Sequence, residues 1–147
     1  MSVAENKAVA LKFFDALSTG DLQTSADLMA EDHIFHFPLF GEPVNKADHA
    51  AGQVKVLEAI PDFNEEVLGQ FGEGDMVFSR LRLRGTRKGE FMGVPAANQK
   101  IDIEIFNVMK MRDGKIVEEW DEFDTISFLV QLGVIEQPQI GKVETKT

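Results

Sequence analysis

Residues 101–124, IDIEIFNVMKMRDGKIVEEWDEFD, have the clearest alternation of hydrophobic and polar positions in the chain. Two sets of residues alternate here. One set is Ile101, Ile103, Ile105, Met109 and Met111, and the other is Asp102, Glu104, Phe106, Val108 and Lys110. A period of two predicts a strand with one buried face. Asp113 and Gly114 suit a tight turn, because glycine adopts positive φ at no steric cost. The stretch therefore predicts a β-hairpin that returns through Ile116 and Trp120.

Helical spacing dominates the first part of the chain. Ala10, Phe13, Phe14 and Leu17 follow the i, i+3, i+4, i+7 pattern of an amphipathic helix over residues 3–17, which we expect to end at Gly20. Asp21 is a good N-cap for a second, short helix. Further helices are predicted over residues 46–60 and 125–132, and further strands over residues 33–37, 63–71 and 76–84.

Three helices followed by four antiparallel strands predict an α+β fold. We expect a curved antiparallel sheet whose apolar face is covered by the N-terminal helices. Residues 1–136 are predicted to form a single domain. Residues 137–147 are polar and without periodicity, which predicts a mobile tail or one that mediates contacts.

Composition excludes several classes of function. The net charge of −10 argues against nucleic acid and anionic membranes as partners, since phosphate binding needs clustered Lys and Arg. No apolar run approaches ~18 residues, and no signal peptide is visible, so we expect no membrane span and a cytoplasmic protein. The absence of cysteine excludes disulfides and thiolate metal sites. Twelve Phe, six Met and no Tyr predict an apolar interior without phenolic hydroxyls.

Acidic residues cluster around the only tryptophan, at the end of the predicted hairpin. They are Glu118, Glu119, Asp121, Glu122 and Asp124. Because one hairpin face is apolar, we expect at least one of these acids to point into an apolar space. Such a carboxyl group loses hydration, which raises its pKa and suits it to general acid–base catalysis near neutral pH.

The chain also resembles a known family from about residue 6 to residue 133. The marks are FFDALSTGD, the G-x-x-x-GEFMGVP segment, RDGKIVEEWDEFD and FLVQLG. In this order they are similar to the SnoaL-like polyketide cyclases, also called ester cyclases. The resemblance implies the cone-shaped, cystatin-like α+β barrel of nuclear transport factor 2, with an internal pocket. It also implies intramolecular aldol ring closure of a polyketide ester without metal or cofactor, and a homodimer.

Residue by residue, the resemblance makes Asp121 the catalytic acid/base. A histidine that assists in the characterised cyclases falls on Asn107, which can hold a carbonyl by hydrogen bonding but cannot transfer a proton near pH 7. Leu17 stands near the place of their tyrosine. Gln53 or Gly52 stands in the region of an asparagine on their third helix.

The register of the hairpin leaves two alternatives for the acid. A two-residue turn at Asp113 and Gly114 places Asn107 opposite Trp120 and turns Asp121 outward. A bulge reverses this, because one extra residue flips every later side chain. Asp124 is therefore the second candidate acid, or equally an N-cap of the final helix.

Other residues are candidates for substrate binding. His36 shares parity with Ile34, and we predict that it projects into the cavity as a base or an orienting group, or is a structural histidine. Trp120, Phe14, Phe91 and Met109 are candidate wall residues, with Leu17 and Gln53 beside them. His33 and His49 are expected to be exposed. The three histidines are scattered along the chain and no cysteine is present, which argues against a metal site.

Three functions remain open on this basis. The first is a cofactor-independent cyclase or isomerase acting on a hydrophobic carbonyl compound, with Asp121 as acid/base. The second is a small-molecule-binding protein of the same fold without catalysis. The third is an interaction module that uses its outer sheet face, which carries Phe106 and Val108, to form a homodimer or to dock a partner.

Overall fold

The computed structural model describes residues 1–91 and 93–141 of the chain. The elements in chain order are α1 (Val3–Thr19), α2 (Leu22–Leu28), β1 (Met29–His36), β2 (Val44–Asn45), α3 (Lys46–Ala59), β3 (Asn64–Glu73), β4 (Met76–Thr86), β5 (Lys100–Arg112), β6 (Lys115–Glu122) and α4 (Thr125–Gln131). The predicted α+β class is confirmed. Residues 142–147 of the predicted tail lie outside the described residues, and the division at residue 136 stays a prediction.

All six strands form one curved sheet in the order β2-β1-β6-β5-β4-β3. The expectation of a wholly antiparallel sheet is wrong at one place, because β1 runs parallel to β6. This pairing joins residues more than eighty positions apart, so it cannot be predicted from a local sequence pattern. It brings the N-terminal strand beside the acidic strand β6.

Local signals define the helix ends, and those predicted at Gly20 and Asp21 are confirmed. Ser2 and Glu5 form a capping box at the start of α1, and Gly20 ends the helix with a φ of 78°. Asp21 caps α2, where its carboxylate accepts a hydrogen bond from the backbone N–H of Thr24. No helix of the described ranges is long and apolar enough to cross a membrane.

The core lies between the helices and the concave sheet face. Helix α1 contributes Ala10, Phe13 and Phe14, all essentially without solvent exposure. On β5 the inward positions include Ile101, Ile103 and Ile105. Burying side chains of this size contributes roughly 1.5–3 kcal/mol each, which anchors α1 on the sheet.

A bulge in the hairpin decides which acids face inward. Asp113 and Gly114 do form a two-residue turn, with Arg112 opposite Lys115. The register then shifts, since Met111 pairs with Ile116 but Lys110 pairs with Glu118, which leaves Val117 as an extra residue. Beyond this point Asn107 lies opposite Asp121 instead of Trp120. Of the two registers that the sequence allows, the structure has the bulged one.

Candidate functional site

An internal cavity of about 180 Å³ opens between the concave sheet face, α3 and α4. Most of its wall is apolar, with side chains such as Phe35, Phe37, Phe63, Phe91, Ile103 and Phe128. Four polar residues interrupt this surface, and they are His49, Gln53, Glu65 and Asp121. The mouth lies where Phe40 and Lys55 are exposed to solvent. A cavity with apolar walls and a few convergent polar groups is the usual form of a small-molecule site.

Asp121 lies on this wall because the bulge turns it inward. Its Oδ1 accepts a hydrogen bond of 2.8 Å from Nδ2 of Asn107 on the neighbouring strand. The apolar surroundings raise the pKa of Asp121 to about 7, since they disfavour the charged form, and the hydrogen bond from Asn107 opposes part of this shift. Asp121 is therefore poised to exchange a proton near neutral pH.

Glu119 points to the same side of β6 and is only 2% exposed. Its Oε2 accepts a hydrogen bond of 2.8 Å from Asn107 Nδ2, so one amide group holds two carboxyl groups. Among the described residues its Oε1 has no hydrogen-bond partner. Burial, and then the charge of Asp121, raises the pKa of Glu119 well above its usual range. Sequence reasoning did not single out Glu119, because five acids stand close together there.

Glu65 on β3 adds a second carboxyl group to the cavity wall, beside Asp121. Burial raises its pKa well above the usual value, and the charge of Asp121 raises it further. Groups that influence each other in this way share protons, so their titrations belong to the set rather than to single residues. Together with the buried Glu119, the interior therefore carries three carboxyl groups that resist ionising together.

His33 and His49 are buried, with 0% and 6% of their surface exposed, so the expectation that both are exposed is wrong. His33 faces inward on β1 together with Phe35, and α3 lays His49 across them. Nδ1 of His33 contacts the backbone oxygen of Ile116 at 2.8 Å, and its Nε2 lies 2.9 Å from Nδ1 of His49. Burial lowers the pKa of His49 to about 3, which keeps its ring neutral.

His36 and Trp120 lie on the outer face of the sheet. Contrary to the prediction, neither side chain projects into the cavity. His36 does share parity with Ile34, but that parity points away from the core. The two rings stack at 5.1 Å, and Nε2 of His36 lies 2.7 Å from Oε2 of Glu118. Trp120 turns outward because the bulge reverses the register of β6 before it.

The remaining candidates divide between wall and core. Leu17, Gln53 and Phe91 line the cavity. Phe14 and Met109 do not line it, and both are packed in the hydrophobic core. Asp124 caps α4, where its Oδ1 accepts a hydrogen bond of 2.9 Å from the N–H of Ser127. Of its two predicted roles, the structure assigns the cap, and Asp124 is not a cavity acid.

Comparison with known proteins gives consistent matches for nearly the whole chain. The family model described as SnoaL-like polyketide cyclase matches residues 8–132. AclR from Streptomyces galilaeus, proposed as a hydroxylase, superposes with a TM-score of 0.83 at 31% identity, covering 96% of this chain and 87% of AclR. IdmH from Streptomyces antibioticus, proposed as a polyketide cyclase, has a TM-score of 0.77 at 31% identity, covering 88% of this chain and 99% of IdmH.

A third structure shares the fold alone. An epoxide hydrolase-like protein of M. tuberculosis has a TM-score of 0.72 at 15% identity, covering 88% of this chain and 90% of its own. No curated protein matches the chain. The proteins that share this cone-shaped fold are therefore named for different reactions. The reaction of this chain has to be inferred from the residues of its cavity.

Proposed function

Since the chain belongs to the SnoaL-like polyketide cyclase family, we propose that it is an enzyme of the cyclase or isomerase type. Its substrate is a hydrophobic carbonyl compound that enters the cavity, and Asp121 is its general acid and base. The proposed proton transfer needs no cofactor.

The observation that carries this proposal is the position of Asp121. Its carboxyl group lies on an apolar cavity wall with a pKa of about 7, so protonated and ionised forms coexist at neutral pH. A general acid–base group works best when its pKa is near the working pH. One hydrogen bond from Nδ2 of Asn107 holds this carboxyl group in a defined orientation, and a second from the same amide group goes to Glu119.

The proposed reaction balances within one substrate molecule. The carboxylate of Asp121 removes a proton from a carbon next to a carbonyl group, and the electron pair moves into an enolate. The enolate carbon attacks a second carbonyl carbon of the same molecule, which forms a C–C bond. The oxygen of that carbonyl takes the proton back from Asp121. An isomerisation uses the same two proton transfers without the new bond.

The size of the cavity bears on the substrate. At about 180 Å³ it is smaller than the roughly 300–1,000 Å³ of sites for drug-sized ligands. We therefore propose that only the reacting end of a larger ester enters, while its remainder extends past Phe40 and Lys55.

Proton exchange in D₂O tests this function without knowledge of the natural substrate. A panel of hydrophobic ketones and esters is followed by NMR for loss of the proton next to the carbonyl. We expect catalysed exchange, reduced about 10²–10⁴-fold in Asp121→Asn, because an amide cannot take the proton. Glu104→Gln on the outer face is the matched control. Equal exchange by wild type and Asp121→Asn would contradict the proposal.

A non-catalytic binding protein is the second candidate. Asn107 and Leu17 stand where the resemblance places a histidine and a tyrosine, and neither can transfer a proton. A binding protein predicts that a ligand from the same panel binds wild type and Asp121→Asn equally, with no exchange by either.

A homodimer is the proposed assembly. Phe71, Phe78 and Phe106 form an aromatic row on the outer sheet face, with ring centroids 4.7 and 5.5 Å apart. Phe71 is 66% exposed and Phe106 49%, and exposed apolar patches mark interaction sites. Light scattering after gel filtration should give the mass of a dimer, and Phe106→Ser should shift it toward the monomer. A monomeric wild type would remove this proposal.

A further inference from the structure

Two histidines and one glutamate converge in the interior beside the cavity. Nε2 of His33 and Nδ1 of His49 are 2.9 Å apart, and Oε1 of Glu119 lies 3.9 Å from each of them. The three side chains come from β1, α3 and β6, so the fold assembles the group from distant parts of the chain. We call it the His33–His49–Glu119 cluster.

Neighbouring groups aim these three atoms at one another. Ile116 O accepts the Nδ1–H of His33, so the Nε2 of that ring carries a lone pair, which in the absence of a metal ion faces Nδ1 of His49. Asn107 Nδ2 holds the Oε2 of Glu119 and leaves Oε1 directed at both rings, without a hydrogen-bond partner among the described residues. A backbone carbonyl behind a histidine and an amide behind a carboxylate are the usual outer partners of metal ligands.

The spacing of the three atoms fits a small cation. A triangle with sides of 2.9, 3.9 and 3.9 Å has a centre about 2.1 Å from each corner, which is the ordinary Zn–N and Zn–O distance.

The charge of the surroundings also favours a cation. Three carboxyl groups, those of Glu119, Asp121 and Glu65, lie in this part of the interior. Among the ion pairs of the described residues, none joins a Lys or Arg to any of these three acids. Ionised, the group lacks a counter-charge that a bound divalent ion would supply.

We propose that His33, His49 and Glu119 bind one divalent transition-metal ion, with Zn²⁺ as the best fit. Two imidazoles and one carboxylate suit Zn²⁺ and its transition-metal neighbours, whereas Mg²⁺ and Ca²⁺ prefer oxygen ligands alone. The ion enters through the cavity, because His49 lines its wall. This site does not depend on the proposed function, since Asp121 is not one of its ligands.

Titration of chelator-treated, tag-free protein tests the site directly. Calorimetry with Zn²⁺ and the visible absorption of Co²⁺ should both show one ion per chain, and Zn²⁺ should raise the thermal midpoint. Glu119→Gln, which conserves volume, should weaken Zn²⁺ binding at least 100-fold, and His49→Gln gives an independent second variant. Circular dichroism establishes that each variant is folded.

Matched controls lie on the opposite face of the same strands. Glu118→Gln and His36→Gln should bind Zn²⁺ as tightly as wild type. Asp121→Asn should keep the ion while losing proton exchange, which separates this inference from the proposed function. No stoichiometric Zn²⁺ binding by wild type, or equal binding by Glu119→Gln and His49→Gln, overturns the proposal.

Discussion

The two faces of strand β6 carry the same kind of side chain, an acidic one, in different surroundings. Glu119 and Asp121 face the interior, where burial raises their pKa values. Glu118, Trp120 and Glu122 face outward. On that outer face of the neighbouring strands, Asp102 accepts two hydrogen bonds from Arg82 at 2.9 and 2.7 Å, which lowers the pKa of Asp102.

This contrast shows that position relative to the sheet, rather than residue type, determines what an acid can do. The outer carboxyl group of Asp102 has an arginine as its partner. The inner carboxyl groups of Glu119 and Asp121 have no such partner among the described residues, so they compete for protons and are available for proton transfer or for a cation. The extra residue Val117 separates the two sets.

Insertion of one alanine between Glu118 and Glu119 is the change with the largest expected effect. It would turn Trp120 and Glu122 inward and Glu119 and Asp121 outward, because one extra residue flips every later side chain. The unpaired charge of Glu122 would enter the core, and we expect a loss of about 4–5 kcal/mol or more in unfolding free energy, measured by urea denaturation. Val117→Ala keeps the residue count and is the control. An insertion variant as stable as Val117→Ala would refute the assigned register.

Asp121→Asn should have a smaller effect on stability that depends on pH. The folded-state pKa of Asp121 is about 7, above its ordinary value of 3.8, so its contribution is present below pH 4 and is lost as pH rises through 7. Wild type is therefore destabilised at pH 8 by an ionised carboxylate in the cavity, whereas the variant is not. We expect Asp121→Asn to gain about 2 kcal/mol relative to wild type between pH 5 and pH 8.

Urea denaturation at the two pH values measures this gain. A relative stability of Asp121→Asn that stays constant from pH 5 to pH 8 would mean that Asp121 is not in an apolar environment.

Asp102→Asn should give the smallest effect, with the opposite sign. The pKa of Asp102 is lowered, so its stabilising contribution is present above its ordinary pKa and is lost as pH falls. The variant is therefore slightly less stable than wild type at pH 7, and the difference shrinks in acid and at high salt, which screens exposed charges. Denaturation in low and high salt measures it. If Asp102→Asn became more stable relative to wild type as pH rises, the proposed difference between acids on the inner and outer faces would be contradicted.

Local pattern was sufficient to predict most elements and the end of α1. The caps at Asp21 and the turn at Asp113 depend on neighbouring residues alone, and both are confirmed. Asp121 as the inward acid came from the family resemblance, while the pattern left two registers open. A bulge leaves no local mark in a run such as KIVEEWDE, where acids stand at both parities.

The interior histidines could not be predicted from local pattern. His33 is buried because β1 pairs in parallel with β6, and His49 because α3 packs on β1. The first contact joins residues more than eighty positions apart, and the second joins a strand to a helix that follows it after a loop. His36 shows the complementary error, since its parity was assigned correctly while the face that this parity occupies was not. A periodic pattern gives the alternation of a strand, but the covering layer determines which side is inside.

The pKa of Asp121, measured by carboxyl-carbon NMR with Asp121→Asn as the assignment control, tests the central claim most directly. We predict a titration near pH 7, shared in part with Glu119 and Glu65. A single midpoint at or below the ordinary value of 3.8 would show an ionised acid in contact with solvent. Asp121 would then have no part in proton transfer.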